Sequence, residues 1–375
     1  MPERGNTPLS EQGSLPELNQ RNANVMNLSK LLRAGIAALA ITAAAGTAHA
    51  QTDVPLIESG SSLLYPLFNL WVGSYTAANP NADITTTSTG SGAGIAQSIE
   101  GLVQIGASDA YLSDTMKAKH ASMLSIPLAI SSQAVNYNLP GVASGLKLSG
   151  PILAGIYEGK ITQWNDPAIA AANPGVALPA HTIVPIHRLD GSGDTFIFTQ
   201  YLSASDAGWA SSLHYGTAVS WPAVAGAVGA KGNSGMLTAL QNNPYGIAYI
   251  GISFADKVAA AGLGQAALLN KDGNYVLPTQ ENIAAAANSV ANSTPADGRV
   301  SMIFSAGANN YPIVNYEYAI VNSQQPAPAI SQAIRNFLNW TVTEGNSPTY
   351  LNKVHFLPLP PAVATLSQAQ INSIQ

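Results

Sequence analysis

The chain has 375 residues, 15 Lys and Arg against 20 Asp and Glu, 46% apolar side chains and no cysteine. The absence of thiols excludes disulfides, thiolate metal sites, a cysteine nucleophile and a lipid-bearing cysteine after a leader. The acidic balance argues against nucleic acid or an anionic membrane as the main partner, since both need a basic stripe.

Residues 26–50 read as a secretory signal peptide. Lys30 and Arg33 precede an apolar run at 34–45 that is too short to span a bilayer, and Ala48-His49-Ala50 is a small-x-small cleavage site. Residues 1–25 read as a disordered upstream extension. The remainder carries 11 Lys and Arg against 17 Asp and Glu and exceeds the usual size of one core, so two lobes are expected. Short apolar strands alternate with amphipathic helices, the pattern of an α/β protein with mostly parallel sheets.

In chain order, residues 54–58 read as a strand. A Gly60-Ser61-Ser62 turn follows, then a helix with Leu64, Leu67, Phe68 and Trp71 on one face. Residues 84–89 form a second strand, leading through Gly90-Ser91-Gly92-Ala93-Gly94 to a helix with Ile95, Ile99 and Leu102 on its buried side. Residues 103–106 resume extended structure and deliver Ser108-Asp109, before a helix start at Ser113-Asp114. A third unit has its strand at 183–186, its turn at 187–194 and a helix from Thr195 burying Phe196, Phe198 and Leu202, capped by Asp194 or Ser192. Leu139-Pro140-Gly141 and a strand-like run at 311–321, ahead of a helix with Ile330, Ile334, Phe337 and Leu338, mark the crossings between lobes. This places lobe 1 at 51–138 plus 311–375 and lobe 2 at 139–310.

Three helix N-termini preceded by glycine and serine share one physical use, the binding of anions by free N–H groups and the helix dipole. Ser62, Ser91 and Ser192 add hydroxyl donors. The alternative for each segment is an ordinary turn and cap. Arg188 adds a planar donor suited to two oxygens of one oxyanion, with Asp190 placed to hold it. Asp109 and Asp194 are either plain N-caps or acceptors for an anion that carries its own proton, as phosphate does at neutral pH and sulfate does not.

Arg188-Leu189-Asp190-Gly191-Ser192-Gly193, continuing through Thr195-Phe196-Ile197-Phe198-Thr199-Gln200-Tyr201-Leu202, resembles the PstS-type phosphate-binding proteins of bacterial ABC importers. Gly90-Ser91-Gly92-Ala93-Gly94-Ile95, Gly106-Ala107-Ser108-Asp109-Ala110, Lys231-Gly232-Asn233 and Tyr245-Gly246-Ile247-Ala248-Tyr249 support the resemblance, which covers nearly all of 55–365. It implies a type II periplasmic-binding-protein fold, two α/β lobes joined by a two-segment hinge. It also implies a periplasmic, monomeric, non-enzymatic binder without cofactor, whose partners are inorganic phosphate and a membrane permease. The implied phosphate ligands are Ser62, the Leu63 backbone, Ser91, Asp109, Arg188, Ser192 and the Gly193 amide, with Asp190 orienting Arg188. Many members have Thr-Phe at Ser62-Leu63. Asp194 replaces a commoner threonine and is similar to an actinobacterial subgroup with Gly-Ser-Gly-Asp-Thr; it is taken as a further ligand.

Enzymatic readings fit less well. The third glycine of G-x-G-x-x-G would fall at Ile95 or Gln97, and neither Ser91 nor Ser192 has the flanking glycines of a nucleophile elbow. The six histidines, His181 and His187 among them, are scattered. His187 is expected at the surface or tuning the ligand's charge. Trp164, Trp209, Trp221 and Trp340 are expected as core residues with no aromatic cluster. A secreted phosphoester hydrolase, or a binder of another tetrahedral oxyanion, stands as the alternative function.

Overall fold

The computed structural model describes residues 54–375; the expected signal peptide and upstream extension lie outside them. The first elements are β1 (Val54–Gly60), α1 (Tyr65–Ala78), β2 (Ala82–Ser88), α2 (Ser91–Ile99), β3 (Ile105–Ser108), α3 (Asp114–Lys119) and β4 (Met123–Tyr137). Next come β5 (Lys147–Leu148), α4 (Gly150–Tyr157), α5 (Pro167–Ala172), β6 (Val184–Arg188), α6 (Gly193–Ser205), α7 (Ala207–Ser212), β7 (Val228–Ala230), α8 (Gly232–Asn242) and β8 (Gly246–Gly251). The chain continues through α9 (Ala255–Ala260), β9 (Gly264–Gln265), β10 (Ala267–Leu269), β11 (Tyr275–Val276), α10 (Gln280–Val290), β12 (Val314–Asn322) and α11 (Pro328–Val342).

The main sheet runs β2-β1-β3-β12-β4-β8-β6-β7, with β9 on β4, and a small sheet runs β11-β10-β5. The outer strands pair in parallel, β1 with β2 and β3, and β6 with β7 and β8. β12 and β4, at the centre, run antiparallel to their neighbours. Strand β4 carries the chain from one half of the sheet to the other. It pairs with β12 from Met123 to Ser132, then with β8 from Gln133 to Tyr137. A strand nearly all buried along 15 residues reads as one apolar run punctuated by small polar groups, as a sheet covered on both faces requires.

The expected helices form where the apolar spacing placed them. Leu67, Phe68 and Trp71 of α1, Phe198 and Leu202 of α6, and Ile334, Phe337 and Leu338 of α11 are buried. Ser113 caps α3 and Ser192 caps α6 through the Thr195 amide. One expectation is corrected: Leu102 is 62% exposed and is not on the buried face of α2. The helix ends at Ile99, and Gly101 in the left-handed region (φ 71°) turns the chain away before the next turn of helix brings Leu102 round. The sites expected at strand ends depend on α2 lying hard against the sheet. A Cβ at Gly94 would stand 2.5 Å from the Ser59 carbonyl oxygen and 2.8 Å from that of Ala107, so only glycine permits this approach.

Candidate anion-binding site

Two sets of strand ends and helix starts meet in one buried place. On the first side, β1 leads into Ser61 and Ser62, α2 begins at Ser91, and β3 releases Asp109. Ser61 Oγ donates to Asp109 Oδ1 and accepts from the amides of Leu63 and Leu64, both at 3.0 Å. Ser91 Oγ donates to Asp109 Oδ2 at 3.3 Å and accepts from the Asp109 amide at 3.2 Å. Each acid oxygen thus faces a hydroxyl. Hydroxyls and backbone amides, with no cation among them, make up the polar groups of this side.

On the second side, β6 ends in Arg188 and α6 begins at Gly193. The guanidinium Nε donates to Asp190 Oδ1 at 2.7 Å, Nη2 donates to Asp190 Oδ2, and Nη1 donates to Asp194 Oδ2 at 2.8 Å. Three of its five N–H donors are committed, and two remain. Asp194 is held further by Asn233 Nδ2 at 2.7 Å and Gln133 Nε2 at 3.0 Å, and the Gly232 amide donates to Asp190 at 3.2 Å. Beneath lies an aromatic layer: Tyr249 accepts from the Arg188 amide at 2.9 Å and shares a 2.8 Å hydrogen bond with Thr195. Trp209, Trp221, Tyr157, Phe198 and Tyr249 pack in a continuous group, which corrects the expectation of tryptophans without an aromatic cluster. Strand and helix segments far apart in the chain deliver these rings to one layer. His187 is half-buried and stacks on Trp221 in the same layer, 4.9 Å between ring centres.

The two sides touch. The Gly92 amide donates to the Gly191 carbonyl at 2.9 Å, and Ser62 Oγ accepts from both the amide and the side chain of Asn233 at 3.0 Å. A Cβ at Gly193 would overlap Asp109 and Ser91. Among the expected site residues, Ser62, Leu63, Ser91, Asp109, Arg188, Ser192, Gly193 and Asp194 are all buried, and Arg188 is only 3% exposed. Asp109 caps no helix, and Asp194, in the first turn of α6, is engaged with Arg188. The Leu63 amide is already turned to Ser61.

Electrostatics differ across the cleft. Burial, and then the field of Asp194, push the Asp109 carboxyl up to about 7, against hydrogen bonds with Glu317 and Ser61 and the charge of Arg188. Burial also raises Asp194, with Arg188 holding it back. For Asp190 burial works upward, yet the hydrogen bond and charge of Arg188 outweigh it and hold the carboxyl below its ordinary range. Burial opposes the charge on Arg188, but Asp190 and Asp194 overcome it and raise the guanidinium further.

Gln133, Asn315 and Glu317 were not singled out from the sequence, and Ser61, Asn233 and Tyr249 stood there only within motifs, with no role assigned. The available signal was a polar residue inside an otherwise apolar strand, as with Gln133 in β4 and Glu317 in β12. Among the described residues no cluster of three or more His, Asp or Glu side chains is arranged to hold a metal, and no helix is long and apolar enough to cross a membrane.

Glycine-flanked helix starts facing each other across a sheet whose central strand serves both halves define a solute-binding-protein scaffold, and the PBP superfamily domain model matches residues 44–344. The phosphate-binding protein PstS of Xylella fastidiosa is 36% identical over 316 residues, covering 84% of each chain. That of Methanocaldococcus jannaschii is 35% identical over 324 residues, 81% of this chain and 82% of the other. The chain belongs to the family of PstS phosphate-binding proteins. The same fold occurs in a high-affinity periplasmic phosphate-binding protein solved with phosphate (TM-score 0.67, 24% identity, 84% of this chain and 93% of the other). It occurs also in a phosphate-binding protein from Stenotrophomonas maltophilia (TM-score 0.65, 20% identity, 84% and 93%).

Proposed function

We propose that the chain is an extracytoplasmic receptor that encloses inorganic phosphate between its two sides, performs no chemistry on it, and hands it to the permease of an ABC importer. The observation that carries this reading is the meeting of Ser62, Ser91, Asp109, Arg188, Ser192 and Gly193, from separate strand ends and helix starts, in one buried spot. Ser62 accepts two hydrogen bonds and Ser192 accepts one from Thr195, so each keeps its own proton to donate. Arg188 keeps two N–H groups, and the Gly193 amide lies in the first turn of α6, where no intrahelical acceptor exists.

The acids supply selectivity. A monobasic or dibasic phosphate brings an O–H that Asp109 or Asp194 accepts, whereas sulfate presents only bare oxygens to the same carboxylates. Mispaired buried groups cost on the order of 2 to 5 kcal/mol, which favours phosphate steeply. Binding to both sides stabilises the closed form, the state a permease recognises. Affinity near micromolar or tighter, about −8 kcal/mol, suits a dehydrated ion held by directional donors. We place lobe 1 at 51–138 plus 311–375 and lobe 2 at 139–310, with residues 26–50 as the leader and a monomeric periplasmic product.

Equilibrium dialysis against radiolabelled phosphate, with competition by unlabelled sulfate, tests the reading. Retention of phosphate that excess sulfate does not displace, with no release of phosphate from a phosphomonoester, is the expected result. Turnover of the ester, or sulfate competing as well as phosphate, would sink it.

A further inference from the structure

Glu317 lies behind the cleft, on the central strand β12, and is fully buried. Its Oε1 accepts from Ser131 of β4 and from Asn315 Nδ2 at 3.0 Å, and the single Ser131 proton is shared with Asn315 Oδ1, which lies 3.0 Å from the same hydroxyl. Its Oε2 is met by no N–H or hydroxyl donor. What stands against this carboxyl is another, Asp109, in side-chain hydrogen-bond contact. Asn315 Nδ2 reaches the Asp109 carbonyl as well, at 3.3 Å, so one amide ties the two acids together.

Two ionised carboxylates in contact, out of water, repel too strongly to persist, and one of the pair must carry a proton. The hydrogen bonds say which. Both oxygens of Asp109 receive hydroxyl donors, Ser61 on Oδ1 and Ser91 on Oδ2, as acceptor-only oxygens do. Glu317 Oε1 likewise receives donors, but Oε2 receives none and is the one position where an O–H is needed. The titratable group facing Glu317 is Asp109, on which Asp194 from α6 and Arg188 from β6 act in turn. Tyr318, next along β12, feels the same acid, and the other groups touching Glu317 are the neutral Ser131 and Asn315.

We propose that Glu317 is a positioning and specificity-determining residue: it holds a proton on Oε2, donates it as a hydrogen bond to the Asp109 carboxylate, and so presents Asp109 to the cleft as an acceptor. Its consequence for ligand choice rests on the phosphate reading above. With Asp109 ionised and fixed from behind, an incoming oxyanion must bring a proton to share. Without the Glu317 donor, Asp109 takes up the proton itself and faces the ligand as a donor, which removes the basis for rejecting an unprotonated ion.

The test uses the full chain as wild type, Glu317→Gln and Glu317→Ala. A glutamine reproduces the protonated acid, its carbonyl accepting from Ser131 and Asn315 and its amide donating to Asp109. Infrared difference spectra of the ligand-free wild type minus Glu317→Gln at neutral pH should show the C=O band of a buried protonated carboxyl. In phosphate calorimetry Glu317→Ala should bind at least about 30-fold more weakly, and Glu317→Gln should restore affinity to within about threefold of wild type. The absence of a protonated-carboxyl band, or a glutamine variant as weak as the alanine one, overturns the proposal. If Glu317→Ala does not fold, the glutamine variant and the infrared band decide the matter. A wild type that takes up no phosphate would defeat the phosphate reading, and the band would still report on the proton.

Discussion

The two sides of the cleft hold their polar groups by different physics. The β1, α2 and β3 side has no cation: its acids, Glu58 and Asp109, are surrounded by hydroxyls and amides, and burial lifts them to about 8 and about 7. The β6 and α6 side is built on Arg188, which holds Asp190 below the ordinary carboxylate range and restrains Asp194. The first side is therefore tuned near neutral pH, and on the other the Arg188 and Asp190 pair is fixed in its charge state. A receptor for an ion that titrates near neutrality gains from this division: the fixed side supplies attraction at any pH, and the tunable side reads whether the ligand carries a proton.

The largest effect should come from breaking the fixed side. Arg188→Ala leaves buried Asp194 and half-buried Asp190 without their cation, a loss of about 3 to 5 kcal/mol, and phosphate affinity measured by calorimetry should fall by about 10³-fold. Next comes the reading side. Asp109→Asn replaces an acceptor with a group that also donates, so phosphate should weaken by about 100-fold while sulfate gains, shrinking the ratio of the two constants.

The tunable side should also govern stability. For Glu58, and for the Glu317 and Asp109 pair that shares one proton, the folded protein holds protons that the unfolded chain releases, so stability is fully present below the ordinary carboxylate pKa and is lost as pH rises, toward about 8 for Glu58. The slope is at most about 1.4 kcal/mol per pH unit for each group. The melting temperature of the ligand-free chain should thus drop between about pH 5 and about pH 8, and Glu58→Gln should flatten part of that fall. A melting temperature that rises over this range would contradict the assignment of the buried acids. The smallest effect should come from the solvent-facing His355 to Asp256 pair, 2.9 Å apart. Asp256→Asn should change phosphate affinity by less than about threefold, because exposed pairs contribute little.

Much of this division was legible in the chain. Glycine and serine at three helix starts, and Arg188 two residues from Asp190, are local patterns, and local hydrogen bonding keeps them local in the fold. Ser192 as the cap of α6 follows from the same logic. What the sequence did not show is what arrives from far along the chain. Asn233 meets Ser62 across 171 residues, Gln133 meets Asp194 across 61, and Glu317 stands behind Asp109 only because β12 returns between β3 and β4. No periodicity encodes such encounters. The layer of Trp209, Trp221 and Tyr249 was missed for the same reason, and Leu102 because a single glycine ended its helix one turn early.

The central claim is that a buried carboxylate recognises the ligand by the ligand's own proton. Parallel calorimetric titrations of wild type and Asp109→Asn with phosphate and with sulfate test it most directly. Strong phosphate binding with negligible sulfate binding in the wild type, and a much smaller gap in the variant, is the predicted outcome. An equal preference for phosphate in both proteins would contradict it.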